Sequence, residues 1–176
     1  MPITINGSGT VTGISAGGLP DSCITTADIA AGAVTVPKIT GGPAFSAYGT
    51  TQTNTANGTF TRVICNVEEF DTASCYDAST YRFTPNVAGY YQFNGQTGAG
   101  YNTIIVSLYK NGSEFKRGIQ SSGATLSCVN VSALIYLNGT TDFAELYWYQ
   151  ASGVTVNNNV AAPAVTYFQG CLVRPA

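Results

Sequence analysis

Residues 71–93 read DTASCYDASTYRFTPNVAGYYQF, and this stretch decides the fold. Phe83, Tyr91 and Phe93 fall on alternate positions, which is the period of a β-strand with one face toward a core. A Pro-Asn pair between them marks a turn. Gly89 is expected where two bulky strands approach closely or change direction. The stretch therefore predicts short, core-forming strands joined by tight turns.

Strand patterns continue on both sides of this stretch. Further strands are predicted at 44–48, 61–69, 89–95, 104–108, 129–137, 142–150 and 166–172. Asn-Gly pairs, which favour tight hairpin turns, begin at Asn6, Asn57, Asn94, Asn111 and Asn138. Nothing from residue 44 onward has the period of a helix. About ten short strands predict an all-β, ten-stranded double-sheet jelly roll.

Composition excludes several classes of function. Charged residues make up only 9% of the 176 residues, and the net charge is −2, so no basic face for nucleic acid is expected. No apolar run approaches membrane-spanning length, so no membrane insertion is predicted. Met1 is followed by neither a basic region nor an apolar core, so no secretory signal is expected.

Catalytic chemistry is also hard to find. The chain has no histidine, which removes the commonest general base and metal ligand. The five cysteines lack metal-type spacing, and their odd number favours free thiols in a reducing cytosol. No nucleotide-binding motif is present. We therefore predict no catalytic residue, no metal ligand and no cofactor.

The densest group of carboxylates is Glu68, Glu69, Asp71 and Asp77. Oxygen ligands of this kind can hold calcium, but no calcium-loop spacing is present. Asp71 and Asp77 stand beside a turn, where an aspartate commonly bonds the local backbone. A local structural role is the favoured interpretation, and a calcium site is the alternative.

The spacing within the opening stretch resembles a known signature. An aspartate is followed by Tyr five residues on, Phe seven after that, Gly six after that, and then Tyr-x-Phe. This pattern resembles the globular head of complement C1q, and its places are filled by Asp71, Tyr76, Phe83, Gly89, Tyr91 and Phe93. The chain departs from the family at Cys65, where Phe is preferred, and at Gly95, where an aromatic is preferred.

The resemblance extends beyond that stretch. The turn 110–112, the segment 138–142 and the closing segment 167–172 resemble corresponding parts of the family in order and spacing. The resemblance implies a C1q/tumour-necrosis-factor-like jelly-roll head over residues 43–176. It also implies a compact homotrimer. In that topology the first and last strands are neighbours, so the C-terminus lies at the end where the chain enters the head.

Residues 1–42 differ from the rest, because they contain no aromatic residue and are rich in Gly, Thr, Ala and Ile. The segment 24–39, ITTADIAAGAVTVPKI, resembles a repeat of bacteriophage tail-fibre stalks and related trimeric fibres. This resemblance implies an extended trimeric stalk that attaches to other tail or baseplate proteins of a virion. A disordered linker is the alternative.

One predicted strand has two apolar faces. Ala144, Leu146 and Trp148 fall on one face, and Phe143, Tyr147 and Tyr149 fall on the other. One face must meet the core, and the other then needs a partner. We predict that Phe143, Tyr147 and Tyr149 form the trimer interface. An exposed platform for stacking sugars is the alternative.

The leading hypothesis is a phage fibre or spike protein, made in the host cytoplasm and assembled into the virion, whose trimeric head binds a host surface glycan or protein without catalysis. The contact is expected at the end of the head farthest from the stalk, with Ser121, Ser122, Asn157, Asn158 and Asn159 as the candidate receptor-binding residues. The alternatives are a structural trimerising cap of a fibre and a bacterial surface adhesin. A polysaccharide-degrading enzyme is the weakest reading.

Overall fold

Alternation of buried and exposed side chains organises the chain into strands. The computed structural model describes residues 41–100, 103–123 and 126–176, and these residues contain no helix. The stalk predicted over 1–42 lies, except for its last two residues, outside the described part. The described residues form the strands β1 (Ala44–Tyr48), β2 (Asn54–Thr55), β3 (Thr59–Arg62), β4 (Val67–Asp71), β5 (Tyr76–Asp77), β6 (Arg82–Phe83), β7 (Gly89–Ala99), β8 (Ile104–Lys110), β9 (Ser113–Ser121), β10 (Ser127–Leu137), β11 (Ala144–Gln150), β12 (Val156–Asn157) and β13 (Tyr167–Pro175).

The strands build two antiparallel sheets that enclose one core. The first sheet has the order β10-β7-β13-β1-β4, and the second has the order β5-β6-β11-β8-β9, with β3 also paired to β11. The short strands β2 and β12 pair with each other. This arrangement confirms the predicted all-β jelly roll, although it has more strands than the predicted ten because several are only two residues long.

Aromatic rings fill the space between the sheets. Phe83, Tyr91 and Phe93, which the opening stretch placed on core positions, are fully buried. Phe45 from β1 stacks on Phe83 with ring centroids 4.6 Å apart, and it meets the edge of Phe168 at 5.0 Å. Five large rings from both sheets therefore make the centre of the core, and aromatic pairs of this geometry add to the free energy gained from burial.

Both ends of the described unit lie at one end of the sandwich. β1 and β13 are neighbours, with Ala44 opposite Cys171 and Tyr48 opposite Tyr167. The Leu172 N–H donates to the Pro43 carbonyl at 2.9 Å. We call the end that holds Pro43 the near end and the opposite end the far end.

Strand direction places the loops as the sequence predicted. β10 begins at Ser127, opposite Ala99, and ends at Leu137, opposite Gly89. Gly89 also lies opposite Pro175 at the end of β13. The turn at 138–139 is therefore at the near end, and the loops that precede β10 and β13 are at the far end. Of the former loop, residues 124 and 125 lie outside the described part.

The single strand predicted over 61–69 is wrong. The chain leaves the second sheet after β3 and joins the first sheet at β4. Val63 and Cys65 are buried within the segment that crosses between the sheets. Their alternation reflects contact with the core from an irregular segment, which the pattern of apolar residues does not distinguish from a strand.

The Asn-Gly pairs also divide into two groups. Gly58, Gly112 and Gly139 have φ of 73°, 77° and 74°, as tight turns require, whereas the pair at 94–95 lies inside β7 and is not a turn. The pair at Asn6 lies outside the described residues. β9 was not predicted, because nearly all of its side chains are exposed and its sequence lacks alternation.

Candidate functional site

A buried asparagine fixes the segment that crosses the far end. Asn158 is only 1% exposed. Its Oδ1 accepts the Thr53 N–H at 2.6 Å, and its Nδ2 donates to Thr97 Oγ1 at 2.9 Å. The Thr97 and Thr166 hydroxyls lie 3.1 Å apart and complete a buried polar network. This network ties the last far-end loop to both β7 and the segment before β2.

A second buried amide supports the same segment from the other sheet. Gln150, at the end of β11, is fully buried. Its Nε2 donates to the carbonyls of Thr55 at 2.9 Å and Val154 at 2.8 Å, and its Oε1 accepts the Ser152 N–H at 2.7 Å. Because both of its polar atoms are paired, this glutamine costs little to bury and holds the loop rigidly.

Three exposed amides form a ladder on top of this support. The Asn54 Nδ2 donates to Asn157 Oδ1 at 2.9 Å, and the Asn157 Nδ2 donates to Gln52 Oε1 at 3.3 Å. Among the described residues, the Gln52 amide nitrogen and the Asn54 amide oxygen have no partner. The ladder therefore offers one donor group at its Gln52 end and one acceptor at its Asn54 end, which suits recognition of hydroxyl or amide groups.

The structure separates the five predicted contact residues. Ser122 and Asn157 are exposed, and Ser121 and Asn159 are half-buried. Asn158 is buried and fully engaged in the support, so its side chain does not reach the surface. Gln52 and Asn54 were missed, because only the pairing of the two-residue strands β2 and β12 brings them beside Asn157.

Large apolar side chains are exposed on the outer face of the first sheet, toward the near end. Leu134 and Val173 are 51% and 60% exposed, and Tyr90 packs against Tyr136 with ring centroids 5.5 Å apart. Tyr90, Leu134 and Val173 line a groove together with the last residues of the chain. Phe70 is also exposed, but it lies on β4, at the opposite edge of the sheet from β10. We call Tyr90, Leu134, Tyr136 and Val173 the apolar patch.

The predicted interface residues of β11 already have partners within the chain. Tyr147 stacks on Tyr109 with centroids 3.9 Å apart, and Tyr149 packs against Phe60 at 5.1 Å. The Arg82 guanidinium lies 4.3 Å from the centre of the Phe143 ring. All three predicted residues are half-buried. Their role in a trimer stays a prediction. That prediction assumed that this apolar face has no partner within the chain, and these contacts supply part of one.

The carboxylates bond the local backbone, as expected. Asp71 accepts the N–H groups of Ala73 at 3.1 Å and Tyr76 at 2.6 Å. Hydrogen bonds from the Ser79 hydroxyl first, and then from Thr80, lower the pKa of Asp77 to about 2. Within the described ranges, no three His, Cys, Asp or Glu side chains come together in a group that could hold a metal ion.

The four described cysteines are unpaired. Cys65 and Cys75 are buried, and burial raises the pKa of the Cys65 thiol to about 12. Cys128 and Cys171 are exposed, and Cys23 lies outside the described residues. The described part of the chain contains no helix with the length and apolarity needed to cross a membrane.

Comparison with known proteins identifies the fold. The family profile described as C1q domain matches residues 44–173. The globular domain of zebrafish complement 1qA is similar, with 17% identity and a TM-score of 0.60, over 77% of this chain and 99% of that one. Murine APRIL at pH 5.0 has 13% identity and a TM-score of 0.57, over 75% and 99% of the two chains. Eiger TNF from S. frugiperda has 12% identity and a TM-score of 0.53, over 77% and 95%. No curated protein sequence matches the chain significantly.

Proposed function

Because the chain belongs to the C1q domain family, we propose that it is the homotrimeric, non-catalytic head of a bacteriophage fibre or spike that binds the host cell surface. Domains of this family are commonly trimeric and bind partners. They are typically binding modules without catalytic activity. The proposal assigns trimer formation and receptor binding to different surfaces of the head.

The apolar patch supports the trimer. Four large apolar side chains lie exposed on the neighbouring strands β10, β7 and β13, and burying them between subunits would remove them from water. The predicted alternative, an interface through Phe143, Tyr147 and Tyr149, has weaker support because these rings are half-buried against neighbours in the same chain. We therefore propose the apolar patch as the contact between subunits.

The observation that carries the binding role is the construction of the far end. Buried Asn158 and Gln150 hold the surface segment in place, and exposed Gln52, Asn54 and Asn157 present hydrogen-bonding groups on it. Leu126 and Val154, in loops at the same end, are 61% and 62% exposed. A rigid support under polar and apolar surface groups is the usual construction of a binding surface. Three copies in a trimer would add avidity.

The place in a virion rests on the resemblance of residues 24–39 to tail-fibre repeats. The N-terminal segment would join the head to other tail or baseplate proteins. Two other roles fit the same fold: a cap that only trimerises a fibre, and a bacterial surface adhesin. The far-end construction favours a binder over a cap, because a cap needs no fixed array of exposed amides with free hydrogen-bonding groups.

The test is binding of the fluorescently labelled full chain to a panel of bacterial strains. We expect saturable binding to some strains. The bound protein should also protect those strains from infection by the phage. Replacing exposed Ser122 and Val154 with Arg should abolish binding without changing the trimer. Thr140→Arg, at the near end, is the matched control and should leave binding unchanged.

Each alternative gives a different result. A cap would bind no strain. If the protein binds strains but Thr140→Arg abolishes the binding while the far-end variants retain it, the assignment of the far end is wrong. Release of reducing sugar from the cell surface would instead indicate an enzyme.

A further inference from the structure

A fully buried carboxylate lies on the outer face of the second sheet. Glu145 is 0% exposed, and it alternates along β11 with the core-facing Ala144 and Leu146. Arg62 Nη1 lies 2.6 Å and Arg82 Nε lies 2.8 Å from the same oxygen of this carboxylate, Oε1. Arg62 belongs to β3 and Arg82 to β6, and both strands pair with β11. One function of Glu145 is therefore to hold two short strands onto β11.

This structural function leaves two polar atoms unexplained. Glu145 Oε2 and Arg62 Nε are buried and have no hydrogen-bond partner among the described residues. A buried carboxylate oxygen without a donor is costly, and so is a buried guanidinium N–H without an acceptor. The two atoms are complementary, since one accepts and the other donates. A single hydroxyl group can donate to the first and accept from the second.

One further group without a partner in the described part of the chain, the Tyr147 hydroxyl, belongs to a residue on the same face of β11 as Glu145. Tyr147 lies opposite Arg62 in the register of β11 and β3, and its hydroxyl has no partner within the described ranges. The ring of Tyr147 is covered on one face by Tyr109. The side chains of Arg62 and Arg82 are 31% and 39% exposed, so the cluster reaches the surface through them. Their guanidinium groups lie 5.8 Å and 4.3 Å from the ring centres of Tyr81 and Phe143.

The cluster holds two guanidinium groups and one carboxylate. Asp77 lies opposite Arg82 in the register of β5 and β6, but its carboxylate bonds the Ser79 and Thr80 hydroxyls. Arg82 uses only its Nε in the ion pair, so its terminal nitrogens are available to an anionic group. An anion with two oxygens matches the fork of donors that an arginine presents. A ligand for this cluster thus combines hydroxyl groups with a carboxylate.

We propose that Arg62, Arg82, Glu145 and Tyr147 form a binding subsite for an acidic saccharide, a sugar ring that carries a carboxylate. The Tyr147 hydroxyl bonds one sugar hydroxyl, and the carboxylate pairs with Arg82. A second sugar hydroxyl reaches Glu145 Oε2 and Arg62 Nε when the partly exposed Arg62 side chain turns outward. The subsite is separate from the far-end amides and from the apolar patch. It requires that the face of the second sheet with Phe143, Tyr147 and Tyr149 is not the contact between subunits, and it does not depend on a place in a virion.

Binding of sodium D-glucuronate to the full chain tests this proposal, with D-glucose as the matched neutral probe. The two sugars differ only in the group at C6. Saturation-transfer NMR at millimolar probe concentration should show transfer to glucuronate that saturates. Glucose should bind at least several-fold more weakly, and added salt should weaken the binding of glucuronate because the pairing is ionic.

Two variants that each lack one tyrosine hydroxyl locate the site. Tyr147→Phe should weaken glucuronate binding about three- to tenfold, the usual effect of losing one hydrogen bond. Tyr149→Phe, on the same face of the same strand, should leave it unchanged. Both remove one oxygen atom from a ring and keep its packing, so both should fold. Glu145→Gln should also weaken binding, and its thermal unfolding shows whether the variant keeps the fold.

The opposite results would overturn the proposal. Absence of transfer to glucuronate would mean that the cluster binds no acidic sugar and only holds β3 and β6 onto β11. Equal binding of glucose and glucuronate would contradict a role for the arginine charges. Equal effects of Tyr147→Phe and Tyr149→Phe would contradict the location of the site. The Ser122 and Val154 variants should keep full glucuronate binding, so failure of the far-end proposal and failure of this one are distinguishable.

Discussion

Gly95 on β7 lies directly beneath Leu146 on β11, across the core between the two sheets. A Cβ at residue 95 would overlap Leu146 Cδ1 and lie 2.9 Å from its Cδ2. Leu146 is only 1% exposed and has little room to move. The family prefers an aromatic side chain at the position of Gly95, so here the leucine of the opposite sheet occupies the space that such a ring would fill.

Gly95→Ala should therefore destabilise the head, by about 1–3 kcal/mol, because it overpacks a closed part of the core. Urea unfolding followed by tryptophan fluorescence measures the change. Adding Leu146→Val should recover part of the loss, since the two residues share one space. An effect no larger than that of Gln96→Ala, a half-buried neighbour on the outer face, would contradict this packing relationship.

Asn158→Ala should destabilise the head by about 1–3 kcal/mol, because it leaves the buried Thr53 N–H without an acceptor and removes one of the two partners of the Thr97 hydroxyl. Asn157→Ala is the matched control, and its effect should stay within about 0.5 kcal/mol because the residue is exposed. Thermal unfolding compares the two, and hydrogen exchange should show faster opening of residues 151–166 only in the first. Equal stability of the two variants would contradict a supporting role for Asn158.

One arginine introduced on each sheet in turn distinguishes the two candidate trimer interfaces. Leu134→Arg in the apolar patch should convert the protein to monomers, because three buried positive charges would meet. Tyr149→Arg should leave a particle of three times the 18.3 kDa chain. Light scattering at micromolar concentration measures both. If Tyr149→Arg dissociates the particle and Leu134→Arg does not, the predicted interface of Phe143, Tyr147 and Tyr149 is the correct one.

Asp77 should titrate at about pH 2 in the folded protein, below its ordinary value of 3.8. Because the folded pKa is lowered, the stabilisation is complete above pH 4 or so and is lost as pH falls toward 2. NMR titration of the carboxyl carbon measures the pKa. Ser79→Ala should raise it more than Thr80→Ala, and Ser122→Ala should not change it. A pKa near 3.8 in the unmodified chain would contradict the role of the Ser79 hydroxyl.

Local patterns predicted the parts of the fold that depend on local chemistry. The bounds of β1 match the sequence prediction of 44–48, and Phe83, Tyr91 and Phe93 are buried as their alternation required. The pattern failed where residues are buried but do not belong to a strand. Val63 and Cys65 alternate as in a strand but lie in the crossing between the sheets.

The candidate site depends more on pairing between distant residues. Asn157, Asn158 and Asn159 are chemically identical in the sequence, yet only the second meets buried hydroxyls, at Thr97 and Thr166. Gln52 and Asn54 join the site across more than a hundred residues of chain. Side-chain chemistry identified the loop, but only tertiary contacts show which amide supports it and which faces outward.

The position of Pro43 and Ala176 at the same end of the described unit has a practical consequence. The Ala176 N–H donates to the Ala88 carbonyl, so a protein fused behind Ala176 emerges at the near end and leaves the opposite loops uncovered. The exposed residues 122, 154, 155 and 157 can then be randomised on a framework whose attachment point does not change. The head is in this sense a display scaffold, with its anchoring side and its variable side built into opposite ends of the same strands.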